Sequence, residues 1–142
     1  MLQDGLMHSA QIAILGFFVS CSAAAFTRSV WDGVYTKEQA SRGQTSYREE
    51  CLKCHGESLG GGEGGSALAG EEFLRKWNGK TAGDLFRLIR KTMPSDDPGN
   101  LSSREYSDLV AYILSVNEFP VGPKELDRDA ATLDDIRIEA KR

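Results

Sequence analysis

The chain has 142 residues, 40% of them apolar and 27% charged, with 15 glycines, 4 prolines and only 3 cysteines. These values suit one globular domain and exclude a disulfide-dense scaffold, a multi-span membrane protein with its several long apolar runs, and a disordered chain. With 17 Lys and Arg against 21 Asp and Glu the net charge is −4, which argues against binding nucleic acid, because that needs clustered cations to neutralise phosphates.

The chain opens on a targeting pattern. Ala10 to Phe26 contains no charge, is most apolar from Ile12 to Val19, and runs into Ala23-Ala24-Ala25, small residues that suit an A-x-A cleavage site. Residues 1–25 are therefore expected to be a secretory leader, which predicts an exported, periplasmic protein. The leader departs from the usual pattern in carrying Asp4 and no Lys or Arg before Ser9; a start at Met7 removes Asp4. Two alternatives stand beside cleavage: an uncleaved membrane anchor, although the run is shorter than the ~20 apolar residues of a spanning helix, and lipidation at Cys21, against which Phe18 counts.

Residues 26–119 read as one all-α domain. Thr36 with Gln39 three residues on has the pattern of a capping box, and Ala40, Gly43 and Tyr47 then share one helical face leading into Cys51. Gly43 weakens a helix, so it predicts the close approach of another element. The run Leu59 to Ser66 is glycine-rich and reads as a flexible loop, since it lacks the Lys-Ser/Thr and the strand context of a phosphate-binding loop. Phe73, Leu74 and Trp77 suggest a short second helix ending at Asn78-Gly79. Thr81 with Asp84 opens a third, whose stripe of Leu85, Leu88 and Ile89 stops at Met93-Pro94. After a turn-rich stretch, Ser102 with Glu105 starts the strongest amphipathic helix: Tyr106, Leu109, Val110, Ile113 and Leu114 recur at i, i+3, i+4, i+7 and i+8. That stripe is expected to cross the first helix near Gly43 and Tyr47. Residues 120–142, with Pro120, Gly122 and Pro123, read as a polar linker and charged tail, with a short helix over Thr132 to Ile138.

Removal of the leader takes Cys21, His8, Met1 and Met7 away and leaves Cys51, Cys54, His55 and Met93 as the soft or imidazole ligands. Cys51-Leu52-Lys53-Cys54-His55 is C-x-x-C-H, the attachment pattern of c-type haem: two thiols form thioethers to the porphyrin vinyl groups and the next imidazole ligates iron. One short turn presents both sulfurs to one edge of the ring. Three other readings compete. A zinc site needs further ligands beside these, a thioredoxin-like pair needs a βαβ setting, and a Cys51–Cys54 disulfide closes only a small, strained loop. For the sixth iron position Met93 is the remaining thioether, and Pro94 pushes it toward an extended backbone; core filler is the alternative for Met93, and lysine or water is the alternative for the iron. Trp77 is a candidate donor to a haem propionate, or simply a core tryptophan. Arg75, Lys76, Lys80, Arg87, Arg90 and Lys91, offset by Asp84, concentrate positive charge before Met93. They suggest a ring around the haem edge that steers an acidic partner, or an ordinary solvated face.

Trp31-Asp32-Gly33-Val34-Tyr35-Thr36, Arg42-Gly43, Tyr47, Cys51 to Gly56, Leu68-Ala69-Gly70, Thr92-Met93-Pro94 and Tyr112-Ile113-Leu114 together resemble the class I c-type cytochromes. The likeness spans Val30 to Phe119, and within the family it is similar to the periplasmic single-haem cytochromes found with pyrroloquinoline-quinone-dependent alcohol and sugar dehydrogenases. The resemblance implies a cytochrome c fold with crossed N- and C-terminal helices, one covalent haem c per chain, and His55 and Met93 as axial ligands. It also implies electron transfer rather than catalysis, between a dehydrogenase donor and an oxidase or other cytochrome acceptor. A haem peroxidase or gas sensor with a labile sixth ligand is the alternative function.

Overall fold

A computed structural model describes residues 28–62 and 64–140. The expected leader, its cleavage after Ala25 and lipidation of Cys21 lie outside those residues. None of the helices among the described residues is long and apolar enough to cross a membrane.

In chain order the elements are a two-residue strand β1 (Arg28–Ser29) and helices α1 (Lys37–Glu50), α2 (Leu52–His55), α3 (Gly70–Trp77), α4 (Ala82–Thr92), α5 (Ser103–Val116) and α6 (Ala130–Leu133). Strand β2 (Ile136–Arg137) follows and pairs parallel to β1. The helix starts follow from local chemistry. Thr81 and Ser102 each accept from the backbone N–H three residues on, while Asp84 and Glu105 reach back to the cap N–H, so both expected capping boxes form. Thr36 caps α1 in the same way, but only one half of its box exists: the Thr36 hydroxyl accepts from Gln39 N–H, and the Gln39 side chain turns inward.

Helices α1 and α5 cross at the centre. The α5 stripe of Tyr106, Leu109, Val110, Ile113 and Leu114 is buried throughout, and Tyr47 of α1 packs its ring against Tyr112, 5.3 Å between centroids. Gly43 is what permits the crossing, because a Cβ there would overlap the Asp108 carbonyl and press on the Tyr112 Cβ. Gly43→Ala gains up to ~1 kcal/mol of helix propensity, yet forces two backbones apart, at a typical overpacking cost of about 1–3 kcal/mol. The expected net result is a lower thermal midpoint with the cofactor still attached, read by circular dichroism; an unchanged or raised midpoint would show that the helices can separate freely. Arg42 reinforces the same crossing, donating to both oxygens of the buried Asp108 at 2.8 and 3.0 Å.

On α4 the expected apolar stripe is present: Leu85 and Ile89 are buried in the core, and Leu88 lines the apolar cleft beside them. One expectation is corrected. The described part of the expected tail, residues 120–140, is not a polar tail: Leu126, Leu133, Ile136 and Ile138 all belong to the core, and the helix expected over 132–138 ends at Leu133 and gives way to β2. Charges separate these four apolar residues, so no helical or strand period reveals them, and they are buried one at a time as the segment winds across α1, α5, α4 and β1.

Candidate functional site

The C-x-x-C-H motif folds as its spacing demands. Cys51 closes α1, giving its N–H to the Tyr47 carbonyl, and α2 then makes one tight turn in which the Cys51 carbonyl accepts from both Cys54 and His55. Tyr47 clamps the end of that turn, its hydroxyl donating to the Gly56 carbonyl at 2.6 Å. Both cysteines are free and half-buried. Burial, with Glu50 and Cys54 adding to it, pushes the Cys51 thiol up to about 11, so it is held as a neutral thiol. Among the described residues no group of three or more His, Cys, Asp or Glu side chains converges as a metal site, which leaves the zinc reading without a ligand set.

His55 is buried, and its Nδ1 lies 2.8 Å from the Ser66 carbonyl oxygen. A carbonyl can only accept, so Nδ1 carries the proton and Nε2 keeps the lone pair needed by a metal. The glycine-rich loop therefore does more than connect. Gly64 and Gly65 lie so close to Cys54 and His55 that a Cβ on Gly65 would stand 2.6 Å from His55 Nδ1, and one on Gly64 would stand 3.3 Å from Cys54 Sγ. Ser66, Gly64 and Gly65 are the site residues that sequence reasoning missed. Their role uses backbone only, and the run of glycines directly after the motif was the one available signal.

Met93 follows α4 with φ −130° and ψ 147°, the extended backbone that Pro94 predicts, and its carbonyl accepts from the buried Tyr106 hydroxyl at 2.9 Å. Met93 is half-buried and shares an apolar cleft with Cys51, His55, Trp77, Leu85 and Ile113. That cleft holds about 570 Å³ of empty space, counting its mouth. Apolar walls, the Cys51 thiol with Cys54 one turn on, an imidazole with a free Nε2 and a thioether fit haem in donor chemistry.

The two ends of the cleft differ in charge. Around the cysteines the opening is bordered by Glu49, Glu50, Lys53 and Asp96, together with Met93 and Pro94. At the other end Lys76, Lys80, Asp84 and Leu88 surround Trp77, and the Lys80 ammonium lies over the indole ring, 5.0 Å from its centroid. Trp77 itself is buried and stacked on Phe73. Of the expected basic ring, Lys76 and Lys80 flank Trp77 at this end, Arg87 pairs with Asp134 and Asp84, and the charged residues at the cysteine end are mainly carboxylates.

A family model described as cytochrome C oxidase, cbb3-type, subunit III, matches residues 38–113, a stretch that runs from α1 through the haem motif and Met93 into α5. No curated protein matches the chain, and no solved structure does. Since the match takes in more than half of the chain and contains the whole of C-x-x-C-H, the chain belongs to this family of c-type cytochrome domains, as an electron-transfer protein with covalently bound haem c.

Proposed function

We infer that the protein is an exported one-electron carrier whose haem iron is ligated by His55 and Met93, passing electrons between periplasmic redox proteins. The observation that carries this reading is one cleft bordered by Cys51, His55 and Met93, with the Nδ1 of His55 engaged by Ser66. The uncharged leader run with its Ala23-Ala24-Ala25 site supports export. A quinoprotein dehydrogenase as donor is supported by the sequence likeness, and a terminal oxidase as acceptor by the family's description.

Bound haem supplies a one-electron couple between ferric and ferrous iron. The chain's residues tune and shield it. Met93, as a soft thioether, favours the ferrous form, and the apolar wall of Leu85, Ile89 and Ile113 disfavours the extra charge of the ferric form. If His55 and Met93 both hold the iron, the chain would leave it no open position for a substrate, which would separate a carrier from a peroxidase or gas sensor. The porphyrin carboxylates lie away from its vinyl groups, so the Trp77 indole and the Lys76 and Lys80 ammonium groups are the residues that would hold them. Such pairing would take up Lys76 and Lys80.

A partner reaching the cysteine end then meets Glu49, Glu50 and Asp96, with Lys53 as the opposing charge. Electrostatic steering acts over about a Debye length, ~10 Å at 0.1 M salt. We therefore expect faster electron exchange with a basic redox protein than with an acidic one, at a rate that falls as salt rises. Glu49→Lys with Glu50→Lys should reduce or reverse that preference in stopped-flow measurements. Equal rates with both partners at low salt would exclude steering at this end. The reading as a whole is tested by mass spectrometry and a reduced absorption spectrum of the protein matured with haem: one covalent haem per chain and sharp c-type bands are expected, and an unmodified polypeptide would overturn it.

A further inference from the structure

The family match stops at residue 113, yet the chain continues and packs back against the turn between α3 and α4. We propose that residues 121–140 are a strap that positions the α3–α4 turn, and through it Trp77 and helix α4 with Met93, against the haem. This rests on the carrier reading above.

The strap is anchored along its whole course. Gly122 gives its N–H to the Tyr35 carbonyl at 2.7 Å, in a contact with Gly33 that leaves no room for a side chain on either residue. The inward-turned Gln39 side chain then holds Leu126 by both backbone groups, accepting from its N–H at 2.7 Å and donating to its carbonyl at 3.2 Å. Ser107 of α5 donates to the Asp127 carbonyl, and Arg42 pairs with Glu125 at 2.8 Å. Helix α6 next lies on α4 so closely that Gly83 has no space for a Cβ beside Ala130 and Asp134. Asp134 also binds Arg87 and the Thr81 hydroxyl.

The last segment reaches the α3–α4 turn. Ile138, fully buried, brackets the turn: its carbonyl accepts from Gly79 N–H and its own N–H donates to the Lys80 carbonyl, both at 2.8 Å. Ala140 N–H donates to the Asn78 side chain at 2.9 Å, and the Trp31 indole closes the far side on the Glu139 carbonyl at 3.0 Å. Asn78, Gly79 and Lys80, which join Trp77 to the start of α4, are thus each bonded to the strap. With the turn fixed, α4 has a fixed origin, and the position of Met93 at its other end follows from the rigid length of the helix. Ile138 is in this sense a positioning residue: it touches neither the cysteines nor His55 nor Met93 in the cleft lining, and acts through the turn.

The test uses the full chain matured with haem. Ile138→Pro removes the N–H given to Lys80; Ile138→Ala keeps it and shrinks the buried anchor; Ile138→Val is the conservative control. Each is read by the weak long-wavelength ferric band of thioether ligation and by carbon monoxide binding to the reduced protein, at a temperature where the helical circular dichroism is intact. The expected result is loss of the band and gain of carbon monoxide binding in Ile138→Pro, a partial version in Ile138→Ala, and wild-type behaviour in Ile138→Val. Should Ile138→Pro yield no folded haem protein, Ile138→Ala decides alone. A full band and no carbon monoxide binding in the folded variants, even with lowered melting temperatures, would reduce the strap to a general stabiliser and overturn the proposal. A wild-type chain lacking haem or the band is a different outcome: it overturns the carrier reading and the strap's role with it.

Discussion

Replacing both Cys51 and Cys54 by alanine should abolish covalent haem and leave a chain too unstable to hold its native packing. The two thiols are the only described cysteines, both half-buried at the edge of the cleft. Without thioethers no covalent bond would join the porphyrin to the chain. The cleft walls, Leu68, Leu85, Ile89, Leu109 and Ile113 among them, face a space that is apolar on most sides. Each 100 Å² of that surface covered by the ring is worth about 2.5 kcal/mol, so a few such increments match the roughly 5–15 kcal/mol that holds a small domain together. The expected measurement is a polypeptide of unmodified mass, no c-type bands, and a thermal transition that is lowered and broadened or absent. Single variants should retain one thioether and fall between. Covalent haem on the double variant, or a sharp wild-type melting transition without haem, would show that the motif does not serve attachment.

The features legible in the sequence share one property: each is decided within a few residues of chain. The boxes at Thr81 with Asp84 and at Ser102 with Glu105 are local exchanges of hydrogen bonds, and they form as the spacing implies. The α5 stripe is read from a single helix and is buried at every position. Gly43 also signals its role, because glycine inside a helix is costly unless another backbone must come close. The features that escaped reading depend on partners far away in the chain. Gln39 sits where a box partner belongs, but two bonds to the Leu126 backbone and one from its amide to the Ser107 hydroxyl satisfy it better than the Thr36 N–H does. Leu126, Leu133, Ile136 and Ile138 have no period, since each meets a different element. Ser66 acts on His55 through a carbonyl that every residue type carries. The electrostatics of the cleft likewise needed three dimensions: Lys76 and Lys80 flank Trp77 rather than the cysteines, because α3 and the following turn lie at the end of the cleft away from α2.

Met93→Leu should separate the two readings of Met93 more sharply than any truncation. If the side chain only fills space, leucine conserves volume and polarity, and such swaps usually cost less than about 1.5 kcal/mol with no spectral consequence. If its sulfur ligates iron, leucine removes the donor completely while leaving the packing in place. The proposed function requires the second outcome. The Met93 backbone is fixed twice, by its N–H to the Ile89 carbonyl at 2.8 Å and by its carbonyl to the Tyr106 hydroxyl at 2.9 Å, and the residue borders both the apolar cleft and its cysteine end. Met93→Leu is therefore expected to keep covalent haem and a near wild-type melting temperature, yet to lose the long-wavelength ferric band and bind carbon monoxide when reduced. Its reduction potential should fall by a sizeable part of the ~0.8 V range over which axial ligands act, since the soft sulfur that favours ferrous iron is gone. Met93→Ala should show the same spectral loss together with a cavity cost of about 2–5 kcal/mol. The comparison of the two variants divides ligation from packing: spectral change in both with destabilisation mainly in the alanine variant supports a thioether on iron. An unaltered spectrum and potential in Met93→Leu would return Met93 to the core and leave the sixth position to another group.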